Sequence, residues 1–226
     1  MADLIITIDG PAASGKSTVA RLLARKLGAS FLDTGAMYRA VTLAAMQSGI
    51  DLSDEKKLLA VTQTCKFQFS VKAGKMIVCI DDIDVTEQIR SPQVTANARY
   101  IASAPKVREK LVQMQRRFAA GRQKIVTEGR DQGTVAFADA DIKFYLTADS
   151  AERARRRQAE LRAKGDSQSL EQIQSQIEER DRSDESRAVG PLRPAKDAIV
   201  VDTTNLSIDE VVEKLLVYVK EKCSKH

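Results

Sequence analysis

The segment GPAASGKS, residues 10–17, constrains this 226-residue chain more than any other part of its sequence. It matches the pattern G-x-x-x-x-G-K-S and lies between a β-branched run at 4–8 and a helical pattern from about Lys16. Glycines let successive backbone N–H groups point inward at a phosphate, and the helix start adds the positive end of its dipole. The sequence therefore predicts a phosphate-binding loop at the first strand of an α/β fold.

The side chains of this loop supply a cation and a hydroxyl group. We expect the Lys16 ammonium to contact the β- and γ-phosphate oxygens of a nucleoside triphosphate, and the Ser17 hydroxyl to be a ligand of Mg²⁺. The predicted binding segment comprises Gly10, Pro11, Ala12, Ala13, Ser14, Gly15, Lys16, Ser17 and Thr18. The loop does not indicate what receives the phosphate, because kinases and non-enzymatic nucleotide switches share it.

Strands alternate with helices along the chain, which predicts a parallel sheet covered by helices on both faces. Buried strands are predicted at 4–8, 31–32, 125–127, 142–146 and 198–201. Two further apolar runs, at 67–71 and 76–80, are joined around Ala73 and Gly74 and predict an antiparallel hairpin insert. A charged helical region between Ser150 and Arg187 is broken at Gly165 and Asp166.

Composition excludes several other classes of protein. The 36 basic residues are interleaved with 31 acidic ones and only 4% of residues are aromatic, which argues against a nucleic-acid-binding surface. No apolar run approaches the roughly 20 residues of a membrane span, and the first residues lack the basic region of a signal peptide. Three scattered cysteines and one histidine, His226, cannot form a cysteine/histidine metal site. We therefore expect a cytoplasmic protein.

Arginines recur at the boundaries between predicted elements: Arg39, Arg108, Arg130, Arg180, Arg182 and Arg187. Phosphoryl transfer between nucleotides spreads negative charge over the phosphate oxygens, so it requires several bidentate cations more than it requires a base. A single arginine at a helix end is usually a solvated charge or a surface ion pair. The arginines alone therefore do not decide between the two interpretations.

Three further segments, taken with the phosphate loop, resemble the signature blocks of the cytidylate kinases. They are DTGAMYR at 33–39, EGRDQGTV at 128–135, and ERD at 179–181 with Arg187 ahead of Pro191. The resemblance extends over essentially the whole chain, and the hairpin insert is similar to the extra small sheet of the bacterial members. It implies a P-loop kinase fold with a central parallel sheet, a hairpin insert and a helical lid.

The resemblance also implies a division of one domain, residues 1–226, into three parts. A core of residues 1–33, 109–150 and 188–226 would hold ATP. A segment at 34–108, which includes the insert, would bind the nucleoside monophosphate, and a lid at 151–187 would close over both nucleotides. We expect a monomer.

The implied reaction is the Mg²⁺-dependent transfer of the ATP γ-phosphoryl group to CMP or dCMP. Arg39 and Arg130 would hold the acceptor phosphate, Arg180 and Asp184 would contact the ribose, and Arg187 would also meet the acceptor. Catalysis would fall to Lys16, Arg130 and Arg187, and the cytosine edge would be lined by Thr34, Arg108 and Asp131. A carboxylate suits the N4 amino group of cytosine, whereas uracil would turn a carbonyl toward Asp131.

Alternatives remain at this stage. The nearest is a kinase for UMP, dTMP or another small acceptor, and a more distant one is a non-enzymatic nucleotide switch. Glu128 stands where some relatives have aspartate, so its contact with Mg²⁺ could be direct or through water. Arg99 stands where serine is common. The run Arg153, Arg155, Arg156 and Arg157 is interpreted mostly as a charged helix face, and Arg153 and Arg157 are the members expected to reach ATP when the lid closes.

Overall fold

A computed structural model of the chain describes residues 2–72, 74–163, 165 and 167–224. Ala73 and Asp166, at two predicted chain reversals, and His226 lie outside the described residues. In chain order the described elements are β1 (Leu4–Asp9), α1 (Lys16–Leu27), β2 (Ser30–Asp33), α2 (Thr34–Gln47), α3 (Glu55–Thr64), β3 (Phe67–Lys72), β4 (Lys75–Ile80), β5 (Ile83–Asp84), α4 (Pro92–Ser103), α5 (Pro105–Ala119), β6 (Lys124–Gly129), β7 (Ile142–Thr147), α6 (Ser150–Arg162), α7 (Leu170–Glu185), β8 (Ile199–Asp202) and α8 (Ile208–Cys223).

The five strands β2, β6, β1, β7 and β8, in that spatial order, form the predicted parallel sheet. Asp9 is in register with Gly129, and Asp33 is in register with Glu128. The carboxyl ends of β1, β2 and β6 therefore meet at one edge of the sheet. Ligands of open α/β sheets bind outside the carboxyl ends of the strands, so this edge is where the site is expected.

Neighbouring strand residues point to opposite faces of the sheet and enter two different apolar clusters. Ile5 and Ile125 pack with α2, α5 and the insert, whereas Ile6 and Val126 pack with α1 and α8. Each fully buried side chain of this size contributes about 1.5–3 kcal/mol through removal of apolar surface from water. The helices on both faces are thus fixed to the sheet that carries the phosphate loop.

The predicted hairpin is confirmed, and it is longer than predicted. β3 and β4 pair antiparallel, and a two-residue strand, β5, adds to β4. Asp81 and Asp82 connect β4 to β5 with φ of 49° and 66°. Positive φ at both central residues is typical of a type I′ turn, which suits the twist of two adjacent strands.

The predicted helical region after β7 forms two helices, α6 and α7, which pack against each other. Ser169 and Gln172 form a capping box at the start of α7. Ala154, Ile173 and Ile177 form a small buried cluster between the two helices, and Ala13 of the phosphate loop packs against it. Across the described ranges, no helix combines the length and the apolar character that crossing a membrane requires.

Candidate active site

The phosphate loop follows β1 and leads directly into α1, as predicted. Gly10 and Gly15 have φ of 149° and 87°, and Ala13 adopts the left-handed region with φ of 57° although it carries a side chain. α1 begins at Lys16, immediately after Gly15. The first N–H groups of a helix have no intrahelical partner, and they carry the positive end of the helix dipole. The loop thus presents free donors at the position predicted for the phosphates.

The Lys16 side chain is buried in this loop. Its Nζ donates to the carbonyl oxygen of Pro11 at 2.6 Å and to the Ser14 Oγ at 3.4 Å. Burial, and next the positive charge of Arg130, lower the pKa of Lys16 to about 7. The ammonium is therefore poorly compensated by the protein, and polyphosphate oxygens would supply the missing negative charge.

Ser17 and Glu128 form a pair at the carboxyl edge of the sheet. The Ser17 Oγ donates to the Glu128 Oε1 at 2.8 Å, and the Thr34 Oγ1 donates to the backbone carbonyl of Glu128 at 2.7 Å. Burial, and then the neighbouring Asp33, raise the pKa of Glu128. A hydroxyl group and a carboxylate thus lie together beside the phosphate loop.

This pair fits Mg²⁺. Mg²⁺ prefers oxygen ligands and is usually held by one or two protein groups, substrate phosphates and water rather than by a cage of side chains. In the part of the chain that the structure describes, no group of three or more His, Cys, Asp or Glu side chains could hold a metal ion by itself. Ser17 and Glu128 would supply the one or two protein groups of such a Mg²⁺ site.

Asp33 caps a helix and pairs with two arginines. Its carboxylate accepts the backbone N–H of Ala36 at 2.8 Å and so caps the start of α2. The same carboxylate pairs with Arg39 at 3.4 Å and with Arg90 at 3.6 Å. The buried Nε of Arg39 has no hydrogen-bond partner in the described residues.

Arg108 and Asp131 form a buried ion pair. The Arg108 Nη1 also donates to the carbonyl oxygen of Ala102 at 3.1 Å, and its guanidinium lies 5.7 Å from the centroid of the Tyr38 ring. Burial raises the pKa of Asp131 even though Arg108 opposes that change. A Cβ atom at Gly190 would overlap both members of the pair, so the backbone there lies directly against them.

Three predicted residues converge around one carboxylate. The Arg130 Nε donates to the Asp184 Oδ2 at 2.8 Å, and Arg187 pairs with the Asp184 Oδ1. Burial acts to raise the pKa of Asp184, but Arg130, Arg187 and Arg180 together lower it. Arg180 lies near this group but is exposed, and it forms no ion pair with Asp184 among the described residues. Asp184 therefore acts as a shared counter-ion here, and its contact with the ribose stays a prediction.

Arg153 does not lie on the charged face of α6. Its Nη1 donates to the carbonyl oxygen of Ala12 at 3.1 Å, its Nε donates to the carbonyl oxygen of Ala148 at 3.0 Å, and it pairs with Asp181. The Asp181 Oδ1 in turn accepts the N–H of Ala12 at 3.1 Å. The helices α6 and α7 thus bind the phosphate loop at Ala12, through both its backbone N–H and its carbonyl oxygen.

Arg157 lies on the charged face of α6 and pairs with Glu160 at 3.0 Å. Arg153 contacts the phosphate loop because α6 begins at Ser150, immediately beyond β7, and its first turn lies against that loop. That Arg153 or Arg157 reaches ATP stays a prediction. Sequence reasoning did not find the contacts of Arg90 and Asp181. Their partners are distant in sequence, and no local pattern indicates such pairs.

A phosphate loop after the first parallel strand, with Arg39 paired to the last residue of β2 and Arg130 directly after β6, is the arrangement of the P-loop kinases. A solved structure of an uncharacterized protein from Eubacterium ventriosum has the same fold, with a TM-score of 0.51, 12% identity and coverage of 96% of this chain and 98% of that chain. The Cytidylate kinase family model matches residues 6–221, and the chain belongs to that family.

Curated relatives agree with this assignment. A cytidylate kinase of Rhodopirellula baltica is 49% identical over 218 residues, which are 96% of this chain and 93% of the relative. A cytidylate kinase of Desulfitobacterium hafniense is 46% identical over 220 residues, which are 97% of this chain and 94% of the relative. The chain is therefore an enzyme of the phosphotransferase class, and its substrates are nucleotides.

Proposed function

We propose that the chain transfers the γ-phosphoryl group of ATP to CMP or dCMP, with Mg²⁺, giving ADP and CDP or dCDP. The observation that carries this proposal is the placement of Arg130 and Asp131, two consecutive residues after β6. Arg130 belongs to the arginine cluster around Asp184, whereas Asp131 pairs with Arg108. A phosphate-binding cation and a base-reading carboxylate thus leave the same strand side by side.

On the donor side, residues 10–18 would bind the ATP phosphates through backbone N–H groups and the Lys16 ammonium. The Lys16 charge would act most strongly on negative charge that develops during transfer, because burial leaves it without a carboxylate in direct contact. Ser17, beside Glu128, would hold Mg²⁺, and the bound ion would neutralise charge on the β- and γ-phosphate oxygens.

On the acceptor side, Asp131 would accept a hydrogen bond from the N4 amino group of cytosine. Arg108 would donate to O2 or N3 of cytosine, which are acceptors, and Thr34, whose hydroxyl proton is already donated to the Glu128 carbonyl, would accept from the base. UMP would set a carbonyl oxygen against the Asp131 carboxylate, and a site built for a hydrogen-bond donor rejects a ligand that lacks it. The buried Arg108–Asp131 pair supports this choice of base.

Arg39, Arg130 and Arg187 would hold the acceptor phosphate, and the last two would also stabilise the transferring group together with Lys16. Arg180 and Asp184 would lie near the ribose. This assignment divides the chain into the core, the monophosphate-binding segment at 34–108 and the lid at 151–187. The monomeric state expected from the sequence stays a prediction.

A coupled assay of ADP release across the eight common ribo- and deoxyribonucleoside monophosphates tests the proposal. We expect the highest kcat/KM with CMP, then with dCMP, and no turnover without Mg²⁺. Equal or higher kcat/KM with UMP or dTMP would overturn the choice of acceptor. Release of ADP without any acceptor would instead indicate an ATPase.

A further inference from the structure

Asp9 joins the two loops to which the proposed function assigns the substrates. It is the last residue of β1 and directly precedes Gly10 of the phosphate loop. One of its carboxylate oxygens accepts the backbone N–H of Gln132 at 2.9 Å, and the other accepts the N–H of Gly133 at 2.8 Å. These two residues directly follow Arg130 and Asp131, so one carboxylate connects the donor loop to the acceptor loop.

The Asp9 carboxylate is buried and bonded to backbone through both of its oxygens. The side chain is buried, with 3% of its surface exposed, and each oxygen is engaged by a backbone N–H group. Burial raises the pKa of Asp9 to about 7, against the lowering effect of the two N–H donors. Asp131 raises this pKa further and Lys16 lowers it, so a charge from each substrate side acts on the carboxylate.

The loop that Asp9 holds is built tightly onto the sheet. Residues Gln132–Ala136 form a π-helical turn, a conformation that is rare and frequent at functional sites. The Gln132 side chain accepts from the Thr127 hydroxyl at 2.9 Å, and a Cβ atom at Gly133 would lie 2.9 Å from the Thr7 Oγ1 of β1. The position of Arg130 and Asp131 therefore depends on β1, the strand that also positions Gly10.

We propose that Asp9 is a positioning residue that fixes the distance between the donor and acceptor phosphates, an inference that rests on the proposed function. It acts through the backbone of residues 10, 132 and 133 and contacts neither nucleotide. Proximity in phosphoryl transfer requires the reacting atoms to be held in a near-attack geometry, and a misplacement of about 1 Å can cost roughly 10²-fold in rate. Asp9 therefore governs turnover rather than the binding of either nucleotide alone.

The variant Asp9→Asn tests this role, because asparagine keeps the size of the side chain but sets an amide N–H₂ against one backbone donor. We expect kcat to fall by about 10- to 100-fold, while the Kd for CMP alone and for ATP alone each stay within about threefold. An analogue that joins cytidine and adenosine through a polyphosphate chain should lose affinity by about the same factor as kcat. This last measurement reports the relative placement of the two sites.

Asp141→Asn is the matched control. The Asp141 Oδ2 accepts the backbone N–H of Ile5 at 2.7 Å, so it is also a carboxylate bonded to backbone near β1, but at the opposite end of the strand. We expect its kcat and its affinity for the joined analogue to match those of the wild type. Should Asp9→Asn not fold, Asp9→Ser, which retains one oxygen acceptor, gives the same comparison.

A wild-type kcat in the Asp9 variant would overturn the proposal, and so would losses of CMP and ATP affinity as large as the loss of kcat. Each variant is compared with the wild type on whichever acceptor the wild type uses best. Failure of the wild type to phosphorylate CMP would therefore overturn the proposed function alone.

Discussion

Arg153 on α6 and the arginines of α2 and α5 differ in how much of their hydrogen-bonding capacity the protein uses. Arg153 donates to two backbone carbonyls and pairs with Asp181. Arg39 and Arg108 each retain a buried Nε that has no hydrogen-bond partner within the ranges described. An unsatisfied buried donor costs about 1–3 kcal/mol, so native proteins keep few of them.

The difference separates an arginine that bonds to the protein and stabilises the site from one that keeps a donor available for a ligand. Arg153 has its donors directed at the protein, and its role is to hold the phosphate loop. Arg39 and Arg108 each keep one buried donor without a partner in the described residues, and a bound acceptor is proposed to supply it.

The largest effect is expected for Lys16. Lys16→Met should lower kcat by about 10²- to 10⁴-fold, because the ammonium acts on charge that develops during transfer. The fold should persist, since the loop is held by Arg153 and Asp181, and circular dichroism can check this. A variant that keeps more than half of the wild-type kcat would remove Lys16 from catalysis.

Arg153→Ala should lower the free energy of unfolding by about 3–5 kcal/mol, because it leaves the buried Asp181 carboxylate without its cation. Denaturant unfolding measures this change. Arg157→Ala is the control: it is one turn further along the same helix, its ion pair is exposed, and its loss should cost no more than about 1 kcal/mol. If Arg153→Ala keeps wild-type stability but loses ATP affinity, Arg153 contacts the nucleotide instead.

Arg39→Ala, unlike Arg153→Ala, should lower activity and leave stability nearly unchanged. We expect kcat/KM for CMP to fall by about 10- to 150-fold, because a charge-assisted hydrogen bond contributes about 1.5–3 kcal/mol, while stability changes little. Steady-state kinetics and thermal unfolding of the same preparation measure both quantities. Loss of stability without loss of kcat/KM would place Arg39 with Arg153 among the structural arginines.

Asp131→Ala should reduce the preference for CMP over UMP by about 1–3 kcal/mol, since the amino group of cytosine loses its acceptor. The ratio of kcat/KM for the two nucleotides measures this preference, and Asp131→Asn serves as the variant that keeps the volume. An unchanged ratio with a uniformly lower rate would show that Asp131 only orients Arg108.

The smallest effect concerns the sugar. We expect dCMP to be used with a kcat/KM about tenfold below that of CMP, the result of losing roughly one hydrogen bond to the 2′-hydroxyl. If the Asp184 carboxylate reaches the ribose, Asp184→Asn should bring the ratio of kcat/KM for CMP and dCMP closer to one. Since Asp184 is shared by Arg130 and Arg187, a ratio that stays the same in the variant would leave it as a counter-ion only.

The sequence predicted the main sheet and the phosphate loop because their signals are local. Continuous β-branched runs and the glycine-lysine-serine spacing each lie within a few residues. β5 was missed because two residues carry no periodicity, and the π-helical turn at Gln132–Ala136 has no pattern of its own. The charged helical region was predicted, but the buried cluster that Ile173 and Ile177 form with Ala154 was not.

The site residues were predicted as a set, but not their pairing. Motifs named Arg130, Asp184 and Arg187, whereas only the fold reveals that one carboxylate serves both arginines. The same holds for Asp9, which precedes the phosphate-loop motif and whose partners follow it by more than 120 residues. Tertiary ion pairs and bonds to distant backbone are set by topology, and a single sequence does not record them.

Gly190 has a consequence for how substrate choice could evolve in this chain. Its φ is 61°, and an added Cβ would overlap the Arg108–Asp131 pair. Any side chain at position 190 would therefore shift the Arg108–Asp131 pair, although none of the residues assigned to the nucleotides would have changed. The ratio of kcat/KM for CMP and UMP in Gly190→Ala would measure the effect of that shift. Selection can thus act on base preference through a backbone position outside the proposed site, and lineages could drift in substrate range while their signature motifs stay the same.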